Sequence, residues 1–365
     1  MRPGPIDKPF LLSLAGICVF GLLMLLSASG PLAYHEFGSS WYLFIHQITL
    51  GVLPGLVIFF ILSRIDYRKL KPFAGICLFV SILLLILVYV PGLGLNEGGS
   101  QRWVHFLGIS FQPSEFVKVT FLLYMAAWLD ARRSQVKSLE DGLVPFLAAI
   151  GMVAGLLIAQ PNTGSMSVIV GSAVLMYLVA GAPLGWFAMI GLSGLSVIAL
   201  LIKYSPYRAA RFTTFLHPEL DPRGIGYHIN QAYLAIGSGG LFGVGYGQSR
   251  QKYLYLPEVA GDSIFAVIAE ELGFFMTVAF MCAMGYLVWR CFKIARGAPD
   301  GFGKFLATGI GSWIAVQSVL NIASMLGLLP ITGVTLPFVS YGSSALVALA
   351  AGMGLVASIS RQSRV

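Results

Sequence analysis

Ten stretches of this chain are apolar for long enough, at 1.5 Å per helical residue, to cross about 30 Å of hydrocarbon. They lie near residues 10–29, 44–62, 73–90, 113–129, 143–159, 164–181, 185–202, 264–289, 305–328 and 343–359. Helices satisfy their own backbone groups in lipid, and the strict alternation required of a membrane barrel is missing. The expected fold is therefore an all-α polytopic membrane protein of about ten transmembrane helices, with 1–365 as a single transmembrane domain. Only 10% of the residues are charged and 57% are hydrophobic, against about 25% charged in soluble domains. That excludes a soluble α/β enzyme, a disordered tail protein and a secreted disulfide scaffold. Cys18, Cys77 and Cys282 sit inside apolar runs and Cys291 just past one, with neither disulfide nor zinc-ligand spacing. The first run is followed by no polar mature domain, so it reads as a span and not as a cleavable leader.

The formal charge of +8 does not point to nucleic acid, because the 23 Lys and Arg are scattered between apolar runs. Membrane orientation explains them better. With both termini cytoplasmic, the inner segments carry Arg2 and Lys8, then Arg64, Arg68, Lys69 and Lys71, then Arg132, Arg133 and Lys137. They continue with Arg290, Lys293, Arg296 and Lys304, and end with Arg361 and Arg364.

One large extracytoplasmic loop, residues 203–262 between spans seven and eight, interrupts this compact pattern. It holds Arg208, Arg211, Asp221, Arg223, an amphipathic stretch from Tyr227 to Ile236 and a glycine-rich run from Gly237 to Gly247, then Arg250, Lys252, Glu258 and Asp262. Long ordered loops on a rigid scaffold tend to carry function. Glycines let backbone N–H groups approach an anion, and cations after them suit a diphosphate. The plainer alternative is a turn packed on the membrane surface. Asp262 stands where the loop enters the eighth span, with Glu270 and Glu271 two turns deeper. It is either a partner of the helix dipole or a base.

Polar groups inside apolar helices are costly and therefore informative. Pro113, Glu115 and Lys118 open the fourth span, with Lys118 three residues beyond Glu115 on the same face. They form a capped helix with an internal ion pair, or the lining of a polar cavity. Arg102 beside Trp103 reads as an interfacial pair with the charge turned to water. Residues 330–344, including Ser340, form an irregular segment of prolines, glycines and hydroxyls, which membrane depth tolerates where protein or a wet cavity covers it. The five histidines are dispersed and are assigned no role.

At these segments the chain resembles the SEDS family of peptidoglycan polymerases, the group of RodA and FtsW. The resemblance runs through Ser27-Ala28-Ser29, Asp66-Tyr67, Ser100-Gln101-Arg102-Trp103, Gln112-Pro113-Ser114-Glu115 with Lys118, Gln160-Pro161 with Gly164, and Phe215-Leu216 with Pro218 and Asp221-Pro222. It continues through Ala235-Ile236-Gly237-Ser238-Gly239-Gly240, Leu256-Pro257-Glu258, Phe265-Ala266-Val267, Glu270-Glu271-Leu272-Gly273, Thr332-Gly333 and Leu336-Pro337-Phe338. Residues 243–252 look more like the FtsW branch. Three places depart from the family: Ala260-Gly261-Asp262-Ser263 stands for His-Thr-Asp-Phe, Asn162 for the acid of Gln-Pro-Asp, and Ser343 for a glycine. Any charge role at Asn162 is lost.

The resemblance implies a bacterial cytoplasmic-membrane enzyme, a peptidoglycan glycosyltransferase acting in cell division or cell-shape maintenance. It would polymerise lipid II at the outer face, extending a nascent glycan strand by inverting transfer with undecaprenyl diphosphate as leaving group. A diphosphate leaves without a proton, so one base and several cations suffice. Asp262 is the candidate base. Arg102, Lys118, Arg208, Arg211, Arg250 and Lys252 are candidate ligands for diphosphate or sugar, Glu115 would orient Lys118, and Asn162 and Ser340 would line the cavity. The family also suggests a divalent cation, Mg or Mn, with no residue assigned to it. As partners it suggests a class B penicillin-binding protein and other divisome or elongasome membrane proteins. A lipid II flippase, an ion-coupled transporter and a non-catalytic scaffold are the rival readings.

Overall fold

The computed structural model describes residues 4–90, 94–97, 100–106, 109–221 and 224–363. Arg2, Gly98, Pro222, Arg223 and Arg364 lie outside the described residues. Helical segments stand at all ten apolar runs. The first is α1 (Lys8–Phe37). The second joins α2 (Tyr42–Gln47) to α3 (Leu53–Arg64) through a π-helical turn, and the third is a 3-10 turn leading into α4 (Ala74–Leu87). Then follow α5 (Pro113–Ala131), α6 (Val144–Ala159), α7 (Thr163–Val179) and α8 (Leu184–Tyr204). The long loop contains α9 (Pro206–Leu216) and α10 (Ile225–Gly239), and the chain closes with α11 (Ile264–Gly297), α12 (Gly301–Met325) and α13 (Ser343–Ser360). Eight of the ten segments are long and apolar enough to cross a membrane by length and composition; α7 is a shorter apolar helix, and α5 carries Glu115 and Lys118.

Helices α11, α12 and α13 carry the densest burial, and α5 packs against both α12 and α13. Trp313, Phe302 and Phe305 of α12 are almost wholly buried. Helix α8 lies at the periphery, exposing Leu184, Met189, Leu192 and Leu195. In water such a surface would aggregate; in hydrocarbon it costs nothing.

At the bundle end that carries both described termini, helix starts and cations are tied together. Asp7 caps α1 by accepting from Phe10 N at 2.8 Å and also binds Arg290. Asp300 caps α12 by accepting from Gly303 N and pairs with Arg68, both at 2.7 Å. Lys71 meets Asp130 at 2.6 Å. The opposite end carries the long loop.

Two features were not legible in the sequence. The segment that holds Arg102 and Trp103 forms an antiparallel sheet in the order β1 (Gly94–Glu97), β2 (Ser100–Phe106) and β3 (Ile109–Phe111), with Gly94 opposite Val104 and Val104 opposite Phe111. Helix α11 breaks at Gly273, whose φ of 73° suits glycine. The break frees backbone groups that the glycine-rich run takes up: Val244 N and Gly245 N donate to the carbonyls of Glu270 and Glu271, each at 3.0 Å, and Phe274 N donates to Gly240 O at 2.9 Å. A broken helix is tolerated at depth only when its groups are satisfied in this way.

Candidate active site

A small cleft of about 80 Å³ opens at the loop end. Arg102 and Trp103 of β2 line it, with Glu115 and Lys118 of α5, Asn162 and Ser165 at the start of α7, and Gly333, Tyr341, Gly342 and Ser344 from the segment between α12 and α13. The structure therefore gathers Arg102, Glu115, Lys118 and Asn162 from three distant parts of the chain. Lys118 donates to both carboxylate oxygens of Glu115, at 2.8 and 2.9 Å, and to Gln317 Oε1 at 3.0 Å, with its ammonium 5.7 Å from the Trp313 ring centroid. The ion pair and the cavity lining are thus the same object. Arg102 is not turned to bulk water as the sequence suggested. It donates to Gln160 O at 3.4 Å and to Pro161 O at 2.5 Å, because the carbonyls ending α6 need partners. Asn162 caps α7, accepting from Ser165 N at 3.1 Å and donating to Ser114 Oγ at 3.0 Å.

Asp262 lies next to this cleft. A β-carbon placed on Gly333, one of the lining residues, would stand 4.0 Å from Asp262 Oδ2. The acid is 8% exposed. Among the described residues one side chain donates to its carboxyl, Ser263 Oγ to Oδ1 at 3.5 Å, and the acid's own backbone N–H also favours the charged form. Burial pushes its pKa up to about 7, and Glu258 adds to the rise, while Arg211 opposes it. Its backbone is held firmly. Asn321 Nδ2 donates to the carbonyls of Asp262 and Val334, each at 2.7 Å, and Tyr341 N donates to Ala260 O at 2.8 Å. Glu258, in the left-handed region at φ 50°, accepts from Gly261 N and Ser263 N and closes the turn. The result is a fixed, lightly solvated carboxyl that titrates near neutrality, which suits a general base.

The two arginines of α9 reach back toward the same place. Arg208 donates to Ile158 O and Arg211 to Ile331 O, each at 3.0 Å, so α9 is anchored across α6 and the segment before α13.

Four expectations need correction. Lys252 does not offer its ammonium to an anion. It is 3% exposed, and its three N–H groups meet Ser27 Oγ at 2.9 Å, Gly247 O at 2.7 Å and Glu271 Oε1 at 2.9 Å. The glycine-rich run is no cradle, since several of its N–H groups are spent on Glu270 and Glu271. Arg250 is exposed, with its backbone N–H on Glu270 Oε1 at 2.9 Å, and is not among the cleft residues. Ser340 is buried and serves its own turn, accepting from Leu336 N at 2.8 Å, while its neighbours Tyr341, Gly342 and Ser344 line the cleft.

Four residues that matter here were not singled out from sequence. Gln317 and Asn321 stand four apart on one face of α12, the two amide side chains of a mainly apolar helix, and that spacing was the available signal. His46 meets Tyr341 Oη at 2.9 Å and His228 meets Ser263 Oγ at 2.6 Å; no local pattern marks either. Among the described residues no group of three or more His, Cys, Asp or Glu is placed to hold a metal ion. The residues present do not fit the divalent cation, and no step is routed through one.

The fold and cleft define a class: a multi-pass, mainly helical membrane protein with the buried carboxyl of Asp262 beside a cleft lined by Arg102 and the Glu115–Lys118 pair at its loop end. Comparison with known proteins narrows this. Residues 8–365 match the family model FTSW_RODA_SPOVE, described as cell cycle protein. Stage V sporulation protein E of Bacillus subtilis is 39% identical over 348 residues, covering 95% of each chain. A probable peptidoglycan glycosyltransferase FtsW of Trichlorobacter lovleyi is 37% identical, covering 97% of this chain and 93% of that one. Among solved structures, a chain from work on structural coordination of polymerization and crosslinking by a peptidoglycan synthase complex superposes with TM-score 0.80 at 28% identity, covering 98% of both. The rod shape determining protein RodA of Thermus thermophilus superposes with TM-score 0.73 at 28% identity, covering 99% of this chain and 98% of that one. The chain belongs to the FtsW/RodA/SpoVE family.

Proposed function

We propose that this chain is a peptidoglycan glycosyltransferase that polymerises lipid II into glycan strands, with Asp262 as its base. The carrying observation is Asp262 itself, a buried carboxyl with a pKa of about 7, held by its backbone beside a cleft that contains Arg102 and Lys118. The 4-hydroxyl of the acceptor sugar gives its proton to Oδ2 as its oxygen bonds to the anomeric carbon. The bond from that carbon to the diphosphate oxygen breaks, and its electron pair leaves with the undecaprenyl diphosphate. Arg102 in the cleft, with Arg208 and Arg211 on α9, supplies positive charge for the leaving group. Lys118, its N–H groups taken by Glu115 and Gln317, braces the cleft wall, and Asn162 contributes hydrogen-bonding groups to it.

The loop end faces the outside and both termini face the cytoplasm of a bacterial inner membrane. This is supported by the ring of Arg64, Arg68, Lys71, Arg132, Arg290, Lys293 and Lys304 at the other end. The whole chain acts as one transmembrane domain, and its apolar surface accommodates a class B penicillin-binding protein that crosslinks the strands. The test is to mix the purified chain, alone and with that partner, with lipid II and separate products by size. Polymer from the wild type and none from Asp262→Asn is the expected result. Polymer at wild-type level from Asp262→Asn, or labelled lipid II crossing vesicles without polymer, overturns the reading.

A further inference from the structure

We propose that His228 is a positioning residue for Asp262: through the Ser263 hydroxyl it engages Oδ1 of the carboxyl and leaves Oδ2, on the Gly333 side, to take the substrate proton. This deepens the glycosyltransferase reading and rests on it. Three atoms carry the inference. His228 Nε2 lies 2.6 Å from Ser263 Oγ, and Ser263 Oγ lies 3.5 Å from Asp262 Oδ1. Ser263 is fully buried, and its backbone N–H is held by Glu258 O at 3.2 Å. Helix α10 holds the imidazole in place by burying Ile229, Ala232 and Ala235, at helical spacing, while it packs on α11.

A hydroxyl has one proton to give. If Ser263 donates to Asp262, it must accept from His228, so Nε2 carries the hydrogen. A neutral imidazole does this, and burial with Arg211 nearby lowers the His228 pKa to about 4, so it is neutral at pH 7. A hydroxyl that already accepts a hydrogen bond donates more strongly, and donation to a carboxylate favours its charged form. The other groups facing Asp262 are Glu258 from its own turn, which disfavours the charged form, and Arg211 from α9, which favours it. Among the described residues α12 offers the Asn321 amide, to the backbone, and the segment before α13 offers uncharged Gly333. The His228–Ser263 pair therefore holds one carboxylate oxygen and keeps the base ionised, without adding a charge.

The test titrates Asp262 in the full-length protein by infrared spectroscopy, identifying its carboxyl band by its loss in Asp262→Asn. The acid limb of lipid II polymerisation is recorded in parallel. Ser263→Ala and His228→Phe should each raise the Asp262 midpoint by about 1 pH unit, the double variant by no more than either, and Ser263→Thr should restore it. The acid limb should move up by the same amount. If His228→Phe fails to fold, Ser263→Ala, which removes one oxygen atom, carries the test. Midpoints equal to wild type in Ser263→Ala and in every folded His228 variant, or shifts that add in the double variant, overturn the proposal. A raised midpoint in a protein that makes no polymer would keep the positioning role and sink the glycosyltransferase reading instead.

Discussion

Two groups of buried carboxylates sit within ten residues of each other at the start of α11, and their surroundings could hardly differ more. Glu271 accepts from Ser27 Oγ at 2.7 Å, Gly247 N at 3.0 Å, Ser249 N at 3.3 Å and Lys252 Nζ at 2.9 Å. Glu270 accepts from Ser249 Oγ at 2.5 Å and Arg250 N at 2.9 Å. Asp262 has one side-chain donor to its carboxyl among the described residues, at 3.5 Å. Burial is similar, with exposures of 2%, 1% and 8% for Glu270, Glu271 and Asp262. The number of donors, not depth, separates a carboxylate that holds the fold from one able to exchange a proton. The saturated pair repairs the break at Gly273 and ties the glycine-rich run to α1, so that the loop can present the unsaturated acid at the cleft.

The largest expected effect tests the reactive side of this contrast. Asp262→Asn should lower lipid II polymerisation by roughly 10²–10⁴-fold and leave the melting temperature nearly unchanged. A large fall in melting temperature would place Asp262 with the structural acids. On the other side, Glu271→Ala strands Lys252 as a buried charge and should cost about 3–5 kcal/mol of stability by denaturation in detergent. Adding Lys252→Met should recover part of that loss. A Glu271→Ala protein that melts like wild type would show that the saturated cluster holds nothing.

Smaller effects sharpen the comparison. The base must be ionised, and its pKa is raised to about 7. Polymerisation should therefore rise with pH through about 7 and fall about tenfold per unit below it, as one titrating group requires. Arg211→Met removes a charge that favours the carboxylate, so the limb should move to higher pH; a move downward would contradict the electrostatics drawn here. The smallest effect concerns Asn162, which acts as a helix cap. Asn162→Ala should cost about 1 kcal/mol and Asn162→Asp only a few tenths, since both native and acidic side chains cap well. Thermal denaturation of the two variants decides this.

Much of the fold was legible because a hydrocarbon solvent leaves few options. The ten helices, the amphipathic face of α10 and the Glu115–Lys118 pair all follow from period and spacing within one segment. The site was legible only in part. Arg102, Lys118 and Asp262 stood out as polar residues near apolar runs and Asn162 through the family resemblance, and the structure brings Arg102, Lys118 and Asn162 together at one cleft. Lys252 and Arg250 stood out as cations after the glycine-rich run and Ser340 as part of an irregular segment, yet Lys252 and Ser340 are turned to local structural needs and Arg250 lies outside the cleft. A lysine after a glycine run reads alike whether its partner is a diphosphate or a glutamate nineteen residues on.

What the amino-acid order determined alone is the set of spans and the placement of charge at their ends, since backbone desolvation and helix period act within about twenty residues. Which polar group answers which was decided by the tertiary fold. Glu271 and Ser27 lie 244 residues apart, Lys118 and Gln317 199, and His228 and Ser263 35. In a low-dielectric interior each donor takes the acceptor that packing brings to it. Only that pairing reveals that, among the described residues, Asp262 was left with one long side-chain hydrogen bond to its carboxyl.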